Sequence, residues 1–529
     1  MPHDDASPPG EAAEPTARAG DAPAPYATDA PDNTEPADLR AQRVAKVEAM
    51  RAAGTDPYPV RFDRTHTATE IRFAHADLAP GTETDTSVHI AGRLLTLRRQ
   101  GKLSFATLQD RDDTIQLFVS DDSLGEERHR AFDELDRGDW VGVAGTVMTT
   151  RRGELSVKVE ECTLLAKALR PLPDKWHGLA DVDTRYRQRY VDLVVNEEAR
   201  RVAHVRIEIL AALRRHLLER GFKEIEGPVL QSIQGGATAR PFVTHHNALD
   251  LDLYLRIALE LHLKRLIVGG FDRVFEVGRV FRNEGIDTTH NPEFTMLEAY
   301  QAFADYHDMM DLVEGLVVAS ARAVLPDLTV RYGDLEVDLT PPYPRATMVE
   351  LIKRHAGVDL HPAMPVEAAR AVLDRLERGY APEWGAGRCT VEVFDELVEP
   401  QLLQPTFVVD YPREVSPLAR AHRDDPTLVE RFELIVARRE LANAYSELND
   451  PVEQLERFEA EAAAKAGGDA EAGDVDLDYV RALEYGMPPT GGLGIGVDRL
   501  VMLLAGTPSV REVILFPTLR PEPGMGGLT

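Results

Sequence analysis

The first 38 residues contain no Leu, Ile, Val or Phe and carry nine acidic side chains against one Arg. Such a stretch cannot bury enough apolar surface to offset its chain entropy, so residues 1–38 are expected to be a disordered, acidic, Pro/Ala-rich tail. Periodicity then begins abruptly. Leu39, Val44, Val47 and Met50 recur at helical spacing behind Asp38, a good N-cap, and Gly54 follows as a stop signal; a helix over Leu39–Ala53 is predicted. From Val88 the period changes. β-like runs at Val88–Leu97, Leu103–Leu108 and Ile115–Val119 are followed by a helical stretch, Glu126–Leu135, and two more runs, Trp140–Met148 and Leu155–Leu164. Later, Val202, Val205, Ile209, Leu213 and Leu217 mark a long amphipathic helix closed at Gly221. Short strands and helices then alternate to the end, with an Ala/Glu-rich helix and a Gly/Asp-rich loop between Pro451 and Asp478.

Three strands, a helix and two strands suit a small five-stranded barrel of the OB type. It is assigned, with its N-terminal helix, to residues 39–175. A connector containing Trp176 and the basic run Arg185–Arg189 spans 176–201, and a larger domain fills 202–529. Basic side chains gather on the barrel at Arg93, Arg98, Arg99, Lys102, Arg151 and Arg152, with Phe105 among them. Such barrels hold single-stranded nucleic acid by aromatic stacking and basic grooves. The pattern alone equally allows a solvated charged face with Phe105 in the core.

Composition narrows the picture in three ways. A chain of 529 residues is too long for one compact core. Its net charge of −29 argues against a general nucleic-acid binder, so DNA is not an expected partner, while RNA is left to local basic patches. The longest apolar stretches, such as Leu312–Leu325, fall short of the ~18 residues a membrane span needs. Cys162 and Cys389 stand far apart, without metal-ligand spacing, and residues 1–38 lack a signal peptide's basic start and apolar core; a cytoplasmic protein is expected.

Three segments carry chemistry. In Val274–Tyr300, VFEVGRVFRNEGIDTTHNPEFTMLEAY, two β-like runs flank a polar loop, and Arg282 stands at the end of the first. An arginine fork there suits a phosphate, although pairing with Glu284 is the plainer reading. In Gly491–Leu500, GGLGIGVDRL, glycines allow close backbone approach and lead into a helix with Arg499 on its first turn. The spacing is neither a dinucleotide loop nor a P-loop. In Arg431–Asp450, RFELIVARRELANAYSELND, Glu433, Glu440 and Glu447 lie seven residues apart. As a helix that is a solvated acidic stripe. As strands, period two sets Glu433 opposite Phe432 and Leu434, and Asn443, Tyr445 and Glu447 together on one face. An amide, an aromatic ring and a carboxylate in one pocket suit an amine-bearing ligand.

In this order, the segments resemble motifs 2 and 3 of class II aminoacyl-tRNA synthetases, and GFKEIEGPV with Pro228 resembles motif 1. GGATARPFVTHHNALDLDLYLRIALELHLKRLIVGG, RPLPDKWHGLADVDTRYRQRY and VREVILFPTLRP are similar to the lysyl-tRNA synthetases in particular, and the likeness spans roughly residues 39–520. It implies an α+β fold: a catalytic domain on an antiparallel sheet, preceded by the OB-fold barrel. It also implies a ligase that makes lysyl-adenylate from L-lysine and ATP, then transfers lysine to the 3′ end of lysine tRNA.

By the resemblance, Arg282 binds the α-phosphate and the lysine carboxylate, and Phe294 stacks on adenine with Glu284 nearby. Arg499 covers the other adenine face, His290 meets the phosphate tail, and Glu433 and Glu440 hold Mg²⁺. Gly236, Glu260, Glu298, Tyr300, Asn443, Tyr445 and Glu447 form the lysine pocket. Within it Glu260 takes the α-amino group, Asn443 the carboxylate, Tyr445 the methylenes, and Glu447 and Tyr300 the ε-ammonium. Arg98, Phe105, Gln116 and Glu154 match anticodon-reading positions, and a homodimer is implied. The chain departs from the bacterial pattern at Leu259, usually proline, at Thr289, often arginine, and at Ala437-Arg438, usually Gly-rich. The barrel and Gly494 set it apart from paralogues that lysylate a protein. Arg282, Arg499, Glu433 and Glu440 set it apart from a catalytically dead relative.

Overall fold

The structure is a computed structural model describing residues 37–111, 113–173, 179, 181–237, 239–466 and 474–521. The expectation of a disordered tail therefore lies almost wholly outside the described residues, as do Trp176 and much of the Gly/Asp-rich loop. Among the described residues no helix is long and apolar enough to cross a membrane. The chain divides into two compact units, one up to Trp176 and one from His177.

The first unit is a closed barrel of β1 (Glu83–Gln100), β2 (Leu103–Gln109), β3 (Thr114–Ser120), β4 (Trp140–Thr149) and β5 (Leu155–Ala166), ordered β1-β2-β3-β5-β4. All pairs are antiparallel except β3 with β5, which closes the barrel. Alternation fills its interior with Val88, Ile90, Leu94, Leu108, Leu117 and Val143, and the opposite residues face out. The helix Ala37–Ala52 starts and ends one to two residues before the predicted limits, as frayed helix ends do.

In the second unit the helix Glu197–Glu219 begins five residues before Val202, because the Asn196 side chain accepts from the Glu198 N–H and caps it. Gly221, at φ +81°, takes the left-handed turn that ends it. The connector carries two short helices, Val182–Arg187 and Arg189–Val195. An eight-stranded sheet follows, built from β6 (Lys223–Glu224), β10 (Arg273–Phe281), β11 (Glu293–Ala302), β14 (Arg345–Thr347), β15 (Thr406–Pro412), β16 (Leu428–Val436), β17 (Arg439–Ser446) and β18 (Thr490–Gly496). Its order is β14-β15-β16-β17-β18-β11-β10-β6, antiparallel except at its two edges. A small sheet holds β7 (Leu230–Gln231), β8 (Val243–His246) and β9 (Leu251–Leu255), and a hairpin holds β12 (Thr329–Tyr332) and β13 (Leu335–Asp338).

One face of the large sheet packs on three helices, Glu197–Glu219, Tyr306–Val324 and Val497–Ala505, through Ile209, Leu213, Leu316, Val317, Leu500 and Leu503. Period two then dictates the rest. With Phe432, Leu434, Ala442, Ala444, Leu493, Leu297 and Ala299 committed to that core, the alternate residues of the same strands project from the other face.

Candidate active site

Cross-strand register sets those alternate residues in rows. Glu433, Asn443, Gly494 and Glu298 are consecutive partners across β16, β17, β18 and β11. The next row is Arg431, Tyr445, Gly492 and Tyr300. β18 contributes only glycines to both rows, and their absent side chains open the floor. A Cβ on Gly492 would stand 2.0 Å from Glu447 Oε1 and 2.4 Å from Tyr300 Cε1.

Above this floor lie two adjoining cavities. One, of about 250 Å³, is lined by Gly236, Glu260, Glu298, Tyr300, Asn443 and Tyr445, six of the seven residues expected for lysine. The seventh, Glu447, is 1% exposed and lies behind that lining. The other, of about 340 Å³, is lined by Arg282, Glu284, His290, Phe294, Arg499, Glu433 and Glu440, all the residues expected for ATP and metal. Arg282 and Asn443 line both cavities.

In the first cavity the carboxylates are held apart by specific donors. Tyr300 Oη donates to Glu298 Oε2 at 3.0 Å, and the Leu259 N–H donates to Oε1 at 3.0 Å. Burial, with Glu260 nearby, pushes the Glu298 carboxyl up to about 7. Burial also pushes Glu447 up, against the pull of Lys264. Lys264, a residue the motif reading passed over, is ion-paired to both Glu260 and Glu447.

At the second cavity Arg282 follows directly on β10, its N–H bonded to the Pro292 carbonyl across the loop mouth at 2.8 Å. Its guanidinium lies over the Phe294 ring, 5.1 Å from the centroid, and its buried Nε has no hydrogen-bond partner. Among the described residues Arg282 makes no ion pair with Glu284; its guanidinium lines the cavity. His290 is fixed by Asp287, whose Oδ2 is 2.8 Å from Nδ1 and whose Oδ1 accepts from the Thr289 hydroxyl at 2.8 Å. Thr289 thus shapes the loop. Arg499 Nη1 donates to the Glu440 carbonyl at 2.7 Å and to Oε2 at 3.1 Å. Burial raises the Glu433 carboxyl. For Glu440 burial is outweighed by Arg499 and Arg431, which hold it below the ordinary value.

Arg431 was also missed. It donates to Glu433 Oε1 at 2.5 Å and lies between the Tyr411 and Tyr445 rings, 4.5 and 5.9 Å from their centroids. Its place two residues before Glu433 on one strand face was the available signal.

In the barrel, Phe105 is half-buried between the buried Ser104 and Ala106, so it faces outward and is not core. It pairs across to Arg98 and to Phe118, whose ring meets it edge-on at 5.6 Å. Gln116 Nε2 donates to Ser156 Oγ at 2.9 Å, and that hydroxyl donates to the Glu154 carbonyl at 3.0 Å. Arg98, Arg99, Lys102, Arg151 and Arg152 are exposed. Arg93 leaves this patch, stacking 5.0 Å over Trp140.

Comparison with known families agrees with this geometry. Residues 181–520 match the model of "tRNA synthetases class II (D, K and N)", and residues 88–165 that of the "OB-fold nucleic acid binding domain". A lysine–tRNA ligase of Trichormus variabilis is 54% identical over 92% of this chain and 88% of its own length. Those of Moorella thermoacetica and Parasynechococcus marenigrum are each 54% identical over 92% of this chain and 98% of theirs. The chain belongs to the class II tRNA synthetases, within the lysine–tRNA ligase family.

Proposed function

We propose that this chain activates L-lysine with ATP, releasing pyrophosphate, and transfers the lysyl group to the 3′ end of a lysine tRNA in the cytoplasm. One observation carries the reading. A cavity lined by two buried carboxylates, Glu260 and Glu298, with a third, Glu447, behind its lining, adjoins a second, cation-rimmed cavity, and Arg282 and Asn443 stand at their junction. Lysine's ammonium groups belong in the first and the phosphates of ATP in the second. The junction is where the amino-acid carboxylate meets the α-phosphorus.

No side chain has to act as nucleophile or base. The lysine carboxylate attacks in line, and Arg282 offsets charge growing on the phosphoryl oxygens. Its guanidinium leaves the Phe294 ring for the phosphate as the purine stacks there. The lysine pocket discriminates because its carboxylates are already desolvated. An uncharged analogue leaves them unpaired, at a cost of several kcal/mol, on the order of 10⁴–10⁵ in selectivity for buried polar recognition.

Glu433 and Glu440 fit Mg²⁺: both line the ATP cavity and offer it hard carboxylate oxygens, Glu433 beside Arg431 and Glu440 beside Arg499. Among the described residues no group of three or more His, Cys, Asp or Glu side chains is placed for a metal. Two carboxylates would therefore share the ion with substrate phosphates, where it supplies charge neutralisation. The exposed barrel face bearing Phe105, Gln116 and the basic side chains would read the anticodon.

A homodimer is proposed on the exposed apolar side chains of Ile207 and Leu218 on the long helix, Leu230, Val243 and Leu251 on the small sheet, and Val229 just before it. Lysine-dependent exchange of pyrophosphate into ATP, then charging of lysine tRNA, tests the central reading. Exchange driven equally by aspartate or asparagine would overturn it.

A further inference from the structure

Lys264 sits one helical turn beyond Glu260 and is wholly buried. Its ammonium is ion-paired to Glu260 and Glu447, and it lies 5.9 Å from the centre of the Tyr300 ring. The third carboxylate, Glu298, takes its donors from Tyr300 and the Leu259 N–H. Tyr445 and Tyr479 also face this cluster; Arg431 and Arg265, which act on those rings, are themselves paired with Glu433 and Asp476, and Glu461 and Asp474 stand on the cavity wall. Burial works against the Lys264 ammonium, but Glu260 and Glu447 outweigh it and keep it charged. With its three carboxyls ionised, the state that a bound cation favours, the cluster carries three carboxylates and one ammonium, a net charge of two negatives.

Free lysine has two ammonium groups, and its carboxylate is turned toward Arg282. The numbers match. Resting on the lysine pocket proposed above, we propose that Lys264 is a specificity-determining residue, an internal ammonium that reduces three buried carboxylates to the two that one lysine can neutralise. It does so without touching the reacting atoms. When the substrate enters, Lys264 retains Glu260 and yields part of Glu447 to the incoming ε-ammonium. The loaded pocket is then electrically balanced, which a desolvated site requires.

The count makes a prediction that a purely structural role does not. Glu447→Gln leaves Lys264 overcompensating the pocket, so lysine is repelled as well as deprived of a partner. Removing the ammonium too, in Glu447→Gln with Lys264→Met, restores two negatives. The double variant should bind lysine at least about tenfold better than Glu447→Gln alone, read as lysine KM in pyrophosphate exchange, with the KM for ATP unchanged. A double variant as weak as or weaker than Glu447→Gln overturns the role of Lys264. An unchanged lysine KM in Glu447→Gln itself overturns the pocket assignment instead. Lys264→Met alone gives a second reading. With one more uncompensated carboxylate, the pH above which its lysine KM levels off should rise by about one unit or more, while Lys264→Arg keeps the wild-type position. No shift in Lys264→Met overturns the proposal.

Discussion

Leu259 shows how far a single backbone atom can matter. The family pattern leads one to expect proline there, and proline has no N–H to give. In this chain the Leu259 N–H holds Glu298 Oε1 at 3.0 Å. Hydrogen bonds to a charged, buried partner contribute about 1.5–3 kcal/mol, so Leu259→Pro should raise lysine KM about tenfold or more. Leu259→Ala, which keeps the donor, should stay near wild type. The pH dependence follows from the same carboxyl. Glu298 is pushed to about 7 in the empty pocket, and bound lysine favours its ionised form. Lysine affinity should therefore improve as pH rises through about 7 and flatten above it. Folding has the opposite sign. The raised carboxyl contributes stability below about 4.5 that is lost as pH rises through about 7. A flat lysine KM between pH 6 and 9 would remove Glu298 from the pocket. The glycines permit a sharper test. Gly492→Ala drives a methyl into Glu447 and Tyr300, whereas at Gly494 the nearest atoms would be 3.4 Å away. Gly492→Ala should cost at least about a hundredfold in lysine kcat/KM, and Gly494→Ala much less. That glycines allow close approach was legible in GGLGIG. Which one the carboxylate needed was not, because cross-strand register is invisible along one strand.

At the level of elements, strands and their faces were legible and the turns between them were not. Alternation in RFELIV and LANAYSE placed Asn443 and Tyr445 on the site face, and they are there. The connecting turn, Ala437-Arg438, carries no turn signal, yet both residues are left-handed, at φ 51° and 68°. Tertiary contacts impose this, since their N–H groups donate to the Leu403 and Leu402 carbonyls at 3.0 and 2.8 Å. Ala437 is buried in the core, but Arg438 is exposed, and glycine takes its left-handed conformation without strain, so Arg438→Gly should stabilise by about 1 kcal/mol, about 2–4 °C in Tm for a domain of this size. A lower Tm in scanning calorimetry would mean that the native side chain contributes more than its strain removes. The barrel gives the converse case. Alternation could not decide whether Phe105 was core, since either register fills a barrel. The observed register settles it outward and adds Phe118, a neighbour the motif reading never named. Phe105→Ala should lower tRNA charging about fivefold to a hundredfold while sparing lysine-dependent exchange without tRNA. Equal damage to both steps would argue against a base-stacking role.

Across the second unit as a whole, one buried ion pair joins the surface proposed for dimerisation to the ATP cavity. Arg206, on the long helix, donates to Asp498 Oδ1 at 2.5 Å and to the Thr295 hydroxyl at 3.0 Å. Asp498 Oδ2 in turn accepts from the Thr295 N–H at 2.7 Å. Thr295 follows Phe294, and Asp498 precedes Arg499, so a single guanidinium holds the side chains of two residues that line the ATP cavity. The neighbouring Ile207 points the other way and is 54% exposed. None of this long-range pairing could be read from the sequence, because the partners are separated by 89 and 292 residues. It makes association and nucleotide binding interdependent if the helix is the interface. A charge placed in a buried apolar contact is strongly unfavourable, so Ile207→Asp should weaken the dimer without unfolding the subunit, whose core it does not enter. Released from its partner, the helix would hold Arg206 less firmly, and ATP KM should rise several-fold while lysine KM, set in the other cavity, changes less. Sedimentation equilibrium and exchange kinetics at matched protein concentrations test both halves. A variant that remains a dimer shows that this face is not the interface. A variant that becomes a monomer with an unchanged ATP KM shows that the Arg206–Asp498 pair positions the site without help from the partner.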